Sequence, residues 1–379
     1  MSEYHFANLE TPALLLDEGR MQSNIDRLRG RMKELAVSFR PHVKTNKCID
    51  VSRRLMCTDE GPITVSTLRE ADYFASHGVK DILYAVCIAP NKLEHVSRLL
   101  HDGVQLSLIL DSMAAAQMLA GAARHLDRPL DVLIEIDSDG HRSGLAPDAA
   151  ELTEIGRFLD AAGVNVKGVM THAGSSYDCR SVEAIRDMAQ QERLAVVAAA
   201  NRLRAAGLAC PVVSVGSTPT ALCAEHLEGV TEVRAGVFVF FDLVMAGLGV
   251  CRIDDIAISV LGTVIGHQAE KGWTIIDAGW MAMSRDRGTA GQVVDQGYGL
   301  VCDINGRPLN DFILVGANQE HGIIAHRSAD PSITPQLAVG DQVRILPNHA
   351  CSTASQYEQY NVLDSSGQVV AVWPRFNGW

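Results

Sequence analysis

Lys44, Arg142, His172, Tyr177, the run Gly216-Ser217-Thr218 and the pair His349 and Cys351 are the residues whose types and spacing could carry chemistry. Lys44 ends Phe39-Arg40-Pro41-His42-Val43-Lys44, where the apolar stretch from Val37 to Val43 runs out ahead of an amphipathic segment. That pattern predicts a strand with Lys44 at its carboxyl end. A lysine there has a flexible stem on a rigid base. Partial desolvation lowers its pKa and makes the amine a nucleophile toward an aldehyde. A solvated strand end also carries lysine, so Lys44 has to be weighed with the other candidates.

Val212-Val213-Ser214-Val215 opens into Gly216-Ser217-Thr218-Pro219-Thr220 and then a helix. Backbone N–H groups, hydroxyls and a helix start together suit a phosphate, and they equally suit a Ser/Thr-capped turn. Glu135 to Gly144 ends a strand in a glycine-flanked loop holding Arg142, which serves either as a partner for an anionic oxygen or as a surface arginine. Thr171-His172-Ala173-Gly174-Ser175-Ser176-Tyr177 offers an imidazole and a phenol at another strand end, where a satisfied histidine is as ordinary as a catalytic one. His349 and Cys351 are two residues apart, a spacing that on an extended chain turns both side chains to one face for a shared metal; core packing is the other reading. Glu320 and His321 are candidates to complete or support that site, and Asp277 with Ser284-Arg285-Asp286-Arg287 forms a further polar cluster.

The elements that must position these residues alternate. Strand-like runs at 37–43, 63–66, 82–86, 104–110, 132–137, 164–170, 212–215 and 230–234 are separated by helical segments such as 114–124, 152–162 and 183–206. Eight β units alternating with helices predict parallel strands closed as a (β/α)8 barrel, whose active face is at the carboxyl ends of the strands. The alternation stops near Gly249, and β-rich, turn-rich sequence follows. The expected organisation is an α/β barrel over residues 18–250 and an all-β domain over 251–379 that also takes the N-terminal strand within 1–17.

The chain has 379 residues, 47% of them hydrophobic, enough for a substantial core, and a formal net charge of −12. That charge argues against nucleic acid or an anionic membrane as partner and favours a small molecule. Nine cysteines without CxxC pairs read as reduced thiols. Acidic Glu3, Glu10 and Asp17 near the start, with no basic region leading into an apolar core, argue against a secretory signal and for a cytoplasmic protein.

Arg40-Pro41-His42-Val43-Lys44-Thr45, Asp139-Gly140-His141-Arg142-Ser143-Gly144, His172 to Tyr177, Gly216 to Thr220 and Pro347-Asn348-His349-Ala350-Cys351, in this order, resemble the motifs of a known family. It is the alanine-racemase-fold, metal-dependent pyridoxal 5′-phosphate (PLP) lyases acting on D-3-hydroxy amino acids, and the likeness spans nearly the whole chain. The resemblance implies that Lys44 is the Schiff-base lysine and catalytic base, with Arg142 beside the phenolate oxygen of PLP. His172 would face the same cavity, and Tyr177 would lie near the pyridine ring. Gly216, Ser217 and Thr218 would hold the phosphate. Gly236 belongs to Arg234-Ala235-Gly236-Val237-Phe238, where the family has Arg-x-Gly-x-Tyr, so Phe238 lacks a hydroxyl for the phosphate. His349 and Cys351 would bind a divalent metal: manganese, cobalt, magnesium or zinc. His-x-Cys resembles the dehydratases, whereas the aldolase branch shows His-x-Asp.

The implied reaction is therefore β-elimination from D-threo-3-hydroxyaspartate, giving oxaloacetate and ammonia. Elimination from D-serine and retro-aldol cleavage of D-threonine to glycine and an aldehyde are the alternatives. A non-catalytic PLP carrier of this fold lacks the β domain and the metal pair. A racemase needs an opposing base from the second domain, which this sequence does not identify. The fold resemblance implies a homodimer.

Overall fold

The computed structural model describes residues 4–126 and 128–379. The chain divides into two compact units, Arg27–Gly236 with Gly378–Trp379, and Met1–Asp26 with Val237–Asn377.

In the first unit eight parallel strands run Ser38–Phe39, Ile63–Val65, Asp81–Cys87, Gln105–Leu110, Asp131–Ile136, Asn165–Thr171, Val212–Val215 and Glu232–Val233. From the second onward each pairs with the next in sequence, and the last pairs with the first. The ring closes beyond Phe39, where Val43 N–H donates to the Thr64 carbonyl at 3.0 Å and Thr64 N–H donates to the Pro41 carbonyl at 2.8 Å. The (β/α)8 barrel expected from the alternation is present. Its regular first strand is only two residues long, because Pro41 has no N–H to offer a ladder.

Leu83, Ile109, Leu133 and Met170, from four adjacent strands, fill the barrel interior against Ala85, Cys87 and Val212. Burying each such side chain contributes about 1.5–3 kcal/mol. A polar column shares the interior. Arg234 Nε donates to Ser214 Oγ (2.9 Å), Ser214 Oγ donates to Glu232 Oε1 (2.8 Å), and Arg40 donates to Glu232 Oε2 and Asp81 Oδ1, both at 2.7 Å. Helix starts are fixed locally: Thr67, Ser112 and Ser181 each accept a bond from the backbone N–H three residues on. The longest helix, Val182–Ala205, buries Ile185, Ala189, Val196, Ala199 and Leu203 along one face, and Glu192 interrupts that apolar stripe.

The second unit is a ten-stranded sheet. Its spatial order is Tyr4–His5, Gln368–Pro374, Gln359–Leu363, Ala13–Asp17, Ile258–Gln268, Trp273–Ile276, Gly322–His326, Pro308–Ala317, Leu300–Cys302, Gln342–Leu346, and the last returns to pair with Ile258–Gln268. All pairings are antiparallel except that of Gln359–Leu363 with Ala13–Asp17. Phe6, Ala13, Leu15, Leu261, Leu363 and Val369 form a core cluster on this sheet. The segment after Gly236 is tied to the same unit, since Ala257 N–H donates to the Phe240 carbonyl (2.7 Å) and Leu243 N–H to the Pro347 carbonyl (3.1 Å). All nine cysteines are free thiols. Among the described residues no helix is long and apolar enough to cross a membrane.

Candidate active site

In the barrel unit the carboxyl ends of the strands carry most of the candidate residues. Lys44 follows the closure point at the head of a turn and is exposed, not partly desolvated as its strand-end position suggested, while its neighbours Val43, Thr45 and Asn46 are buried. Lys47, the other nearby amine, is held by a buried carboxylate: its Nζ lies 3.4 Å from Glu70 Oε1.

His42 and His172 face the same charges. Burial, then the Lys44 ammonium, Arg234, His172 and Arg142 push the His42 imidazole well below its usual range. Burial, then Arg142, push His172 down to about 3, with Lys44 and Arg234 adding to the shift against the bond to Gly216. His172 is therefore neutral at pH 7. Its Nδ1–H donates to the Gly216 carbonyl at 2.6 Å, which leaves the lone pair on Nε2. The Tyr177 ring is centred 6.3 Å from the His172 ring, tilted by 42°. Two neutral imidazoles among Lys44, Arg142 and Arg234 make a cation-rich setting with aromatic walls, which fits an anionic aromatic cofactor.

The neutral state of these histidines has a consequence for stability. Their folded pKa lies below the unfolded one, so their contribution is complete above about pH 6.5 and is lost as the pH falls, by about 1.4 kcal/mol per pH unit for each proton withheld. His172→Asn, which keeps a donor for Gly216, is expected to flatten the fall in urea midpoint between about pH 6.5 and 4. An unchanged slope in the variant would mean that His172 titrates normally.

Arg142 lies half exposed in the loop after Asp131–Ile136, its NH2 3.8 Å from Glu135 Oε1. The base of that loop is pinned by Ser143 Oγ donating to Glu135 Oε2 (3.1 Å) and Gly144 N–H donating to Asp111 Oδ2 (3.2 Å). Cys87, Asp111 and Glu135 are, among the described residues, a trio of possible metal ligands whose donor atoms lie within 4.8 Å of one another. Burial, then Glu135 and Asp111, push the Cys87 thiol far up, so it acts as a donor to Glu135 Oε2 at 3.2 Å rather than as a thiolate.

At the end of the seventh strand a Cβ on Gly216 would stand 1.9 Å from the Arg234 carbonyl oxygen, and one on Gly236 would stand 2.8 Å from that of His42. Only glycine fits at either place. Ser217 caps the short helix Thr218–Cys223, its Oγ accepting from Thr220 N–H and lying 2.9 Å from Ser176 Oγ. Gly216 N–H donates to Glu192 Oε1 at 2.9 Å.

In the sheet unit His349 is the N-cap of the helix Ala350–Ala354, and Cys351 lies inside that helix. The pair is thus not on an extended chain. The cap turn nonetheless brings the side chains together in a hydrogen bond. His349 Nδ1 bonds Asp286 Oδ2 at 2.6 Å, so Nε2 is the nitrogen left for a metal. Burial opposes a charge on His349, but Cys351, Asp286 and Asp242 outweigh it and hold the imidazole up at about 11. One imidazole and one thiol with a carboxylate behind the imidazole make a donor set that fits a divalent metal. Glu320 and His321 are exposed on the turn between Pro308–Ala317 and Gly322–His326, and the carboxylates facing His349 are Asp286 and Asp242. Asp277 accepts Thr11 Oγ1 and Thr263 N–H, a structural role. Phe238 is fully buried.

Sequence reasoning did not single out His42, Arg234, Glu192 or Asp242 and did not give Asp286 its role beside His349. Glu192 left a visible signal, a carboxylate in the buried stripe of a long helix. Asp286 and His349 are 63 residues apart, and nothing in their local spacing links them.

Residues 16–244 match the family described as alanine racemase, N-terminal domain, and residues 257–363 match the serine dehydratase domain family. D-threo-3-hydroxyaspartate dehydratase of Delftia sp. (strain HT23) is 54% identical over 374 residues, 98% of this chain and 98% of the relative. D-serine dehydratase of Dictyostelium discoideum is 29% identical over 96% of this chain and 95% of its own. A solved structure of D-threo-3-hydroxyaspartate dehydratase, a cysteine-to-alanine mutant in the metal-free form, superimposes with a TM-score of 0.96 at 52% identity, covering 99% of this chain and 100% of that one. The chain belongs to the alanine racemase-fold family of PLP enzymes, alongside D-threo-3-hydroxyaspartate dehydratase and the D-serine dehydratases.

Proposed function

We propose that this chain is a PLP- and divalent-metal-dependent dehydratase that converts a D-3-hydroxy amino acid, D-threo-3-hydroxyaspartate foremost, to a 2-oxo acid and ammonia. The observation that carries the reading is the 54% identity with D-threo-3-hydroxyaspartate dehydratase across 98% of both chains. When bound, PLP supplies an electron sink for the charge left at Cα, and the metal supplies Lewis-acid charge for the departing β-hydroxyl.

The chain's own residues do the rest. Lys44 Nζ would hold the cofactor and, as a free amine, would take the Cα proton of a D-configured substrate. Lys47 cannot substitute for it while paired with Glu70. The Arg142 guanidinium would serve as the charge-assisted donor to the phenolate oxygen of PLP. His172 and Tyr177 flank the ring, His172 as the neutral tautomer fixed by Gly216. Gly216, Ser217 and Thr218, with Gly236 after the next strand, would take the phosphate, and at both glycines a Cβ would strike a backbone carbonyl, of Arg234 and of His42. His349 through Nε2 and Cys351 through Sγ hold the metal, with Asp286 fixing the imidazole. Of manganese, cobalt, magnesium and zinc, this soft donor pair favours zinc. The net change is loss of the Cα hydrogen and the β-hydroxyl as water, followed by hydrolysis to oxaloacetate and ammonia. We further read the protein as a cytoplasmic homodimer; nine free thiols suit a reducing compartment.

Removing the charge-assisted bond of Arg142 is expected to weaken PLP binding by about 10–100-fold in Arg142→Ala while leaving the thermal midpoint unchanged. Fluorescence titration of the apoprotein measures this. Equal affinity in the variant would return Arg142 to a surface residue. The reading as a whole is tested by offering D-threo-3-hydroxyaspartate, D-serine and D-threonine and assaying ammonia against glycine. Ammonia and oxaloacetate from the first support the dehydratase, whereas glycine with an aldehyde would make the protein an aldolase.

A further inference from the structure

Glu192 is a carboxylate at a core position of the helix Val182–Ala205, 2% exposed, and the chemistry above makes no use of it. Such a group is costly to bury unless its oxygens are engaged. Here Oε1 accepts Ala173 N–H (3.2 Å) and Gly216 N–H (2.9 Å), and the Thr220 side chain also hydrogen-bonds the carboxylate. One oxygen thus joins the loop after the sixth barrel strand to the turn after the seventh. The same two segments are joined again by His172 Nδ1–H donating to the Gly216 carbonyl (2.6 Å) and by the contact of Ser176 Oγ with Ser217 Oγ (2.9 Å).

Gly216 is therefore held on both sides. Its N–H goes to Glu192 and its carbonyl to His172. The Gly216 carbonyl and the Ser217 N–H share one rigid peptide plane, so holding the carbonyl fixes the direction of that N–H. The Gly216 N–H belongs to the preceding plane, whose N–H is held by Glu192 and whose carbonyl, that of Val215, accepts Arg234 N–H at 2.8 Å. Neither constraint alone orients the turn, because glycine has no side chain to limit the rotation between the two planes.

We propose that Glu192 is a positioning residue for the phosphate of the cofactor: it spends the Gly216 N–H and the Thr220 side chain on itself in order to set the Gly216–Thr220 turn in the shape that grips a phosphate monoester. This rests on the functional reading above. It assigns Glu192 to the phosphate end of the site, not to the ring or the reacting carbon. The property that matters is reach combined with acceptor oxygens, so Glu192→Gln should preserve the turn, whereas Glu192→Asp keeps the charge and falls one methylene short.

The test compares PLP with pyridoxal, which has the same ring and aldehyde and no phosphate, by titrating each into the apoprotein and recording absorbance and dissociation constants. Wild-type protein should bind PLP much more tightly than pyridoxal. Glu192→Asp should lower that preference by about tenfold or more through loss of PLP affinity, with pyridoxal binding unchanged, and Glu192→Gln should stay within about threefold of wild type. Equal weakening of both ligands in Glu192→Asp, or an unchanged preference, would overturn the assignment and make the residue a general structural support. Failure of wild-type protein to bind PLP, or to prefer it, would instead remove the functional reading beneath the inference, an outcome visible before any variant is made.

Discussion

With Lys44 replaced by alanine, the protein is expected to lose covalent attachment of PLP and to slow by at least about ten-thousandfold, because in the proposed reaction one amine serves as both nucleophile and base. Borohydride reduction of wild-type protein should fix the cofactor to a single peptide, and mass mapping should place it on Lys44. The nearest competitor is three residues away. Lys47 is 15% exposed and paired with a Glu70 side chain that is 1% exposed, whereas Lys44 is exposed at the mouth of the barrel unit. Reaching the cofactor from Lys47 would leave a buried carboxylate without its cation, at a cost of about 3–5 kcal/mol. A label on Lys47 would therefore contradict both the assignment and the geometry behind it.

The second large effect concerns Cys351→Ala. Removing the thiol deletes one of the two side chains proposed to hold a metal, and elimination is expected to fall by at least about a thousandfold, since a hydroxide-like leaving group needs several kcal/mol of charge stabilisation. Elemental analysis should show the metal lost while PLP stays reducible onto Lys44. The two effects separate because Cys351 belongs to the sheet unit and Lys44 to the barrel unit. Loss of PLP along with the metal would mean that Cys351 supports the fold generally.

The barrel was legible because its strands are short apolar runs separated by helical segments; the segments expected at 114–124, 152–162 and 183–206 are helices at Met113–Ala123, Glu151–Ala161 and Val182–Ala205. The sheet unit was read less completely. Leu300–Cys302 is buried throughout and Gln359–Leu363 at all but its first residue, so neither shows the alternation that marks a half-buried strand. In the site, residues next to a motif were visible and residues acting across the fold were not. Gly216 directly follows a strand and Lys44 and Arg142 lie in the segments after theirs, whereas Asp286 meets His349, and Arg234 meets Ser214 and Thr171, only through tertiary packing. The HxC spacing was noticed for a geometry that does not apply. An N-cap and a helix turn bring the pair together, not an extended strand.

In the proposed reaction a metal held by His349 and Cys351 drives loss of the β-hydroxyl, while removal of the Cα proton depends on Lys44 and PLP. Wild-type protein is freed of metal by chelation, verified by elemental analysis, and given D-threo-3-hydroxyaspartate in deuterated water, with ammonia and Cα deuterium measured in the same sample. Ammonia release should stop while deuterium still enters Cα, and adding back a divalent metal should restore ammonia. Ammonia at the full rate from metal-free protein would contradict the proposed reaction.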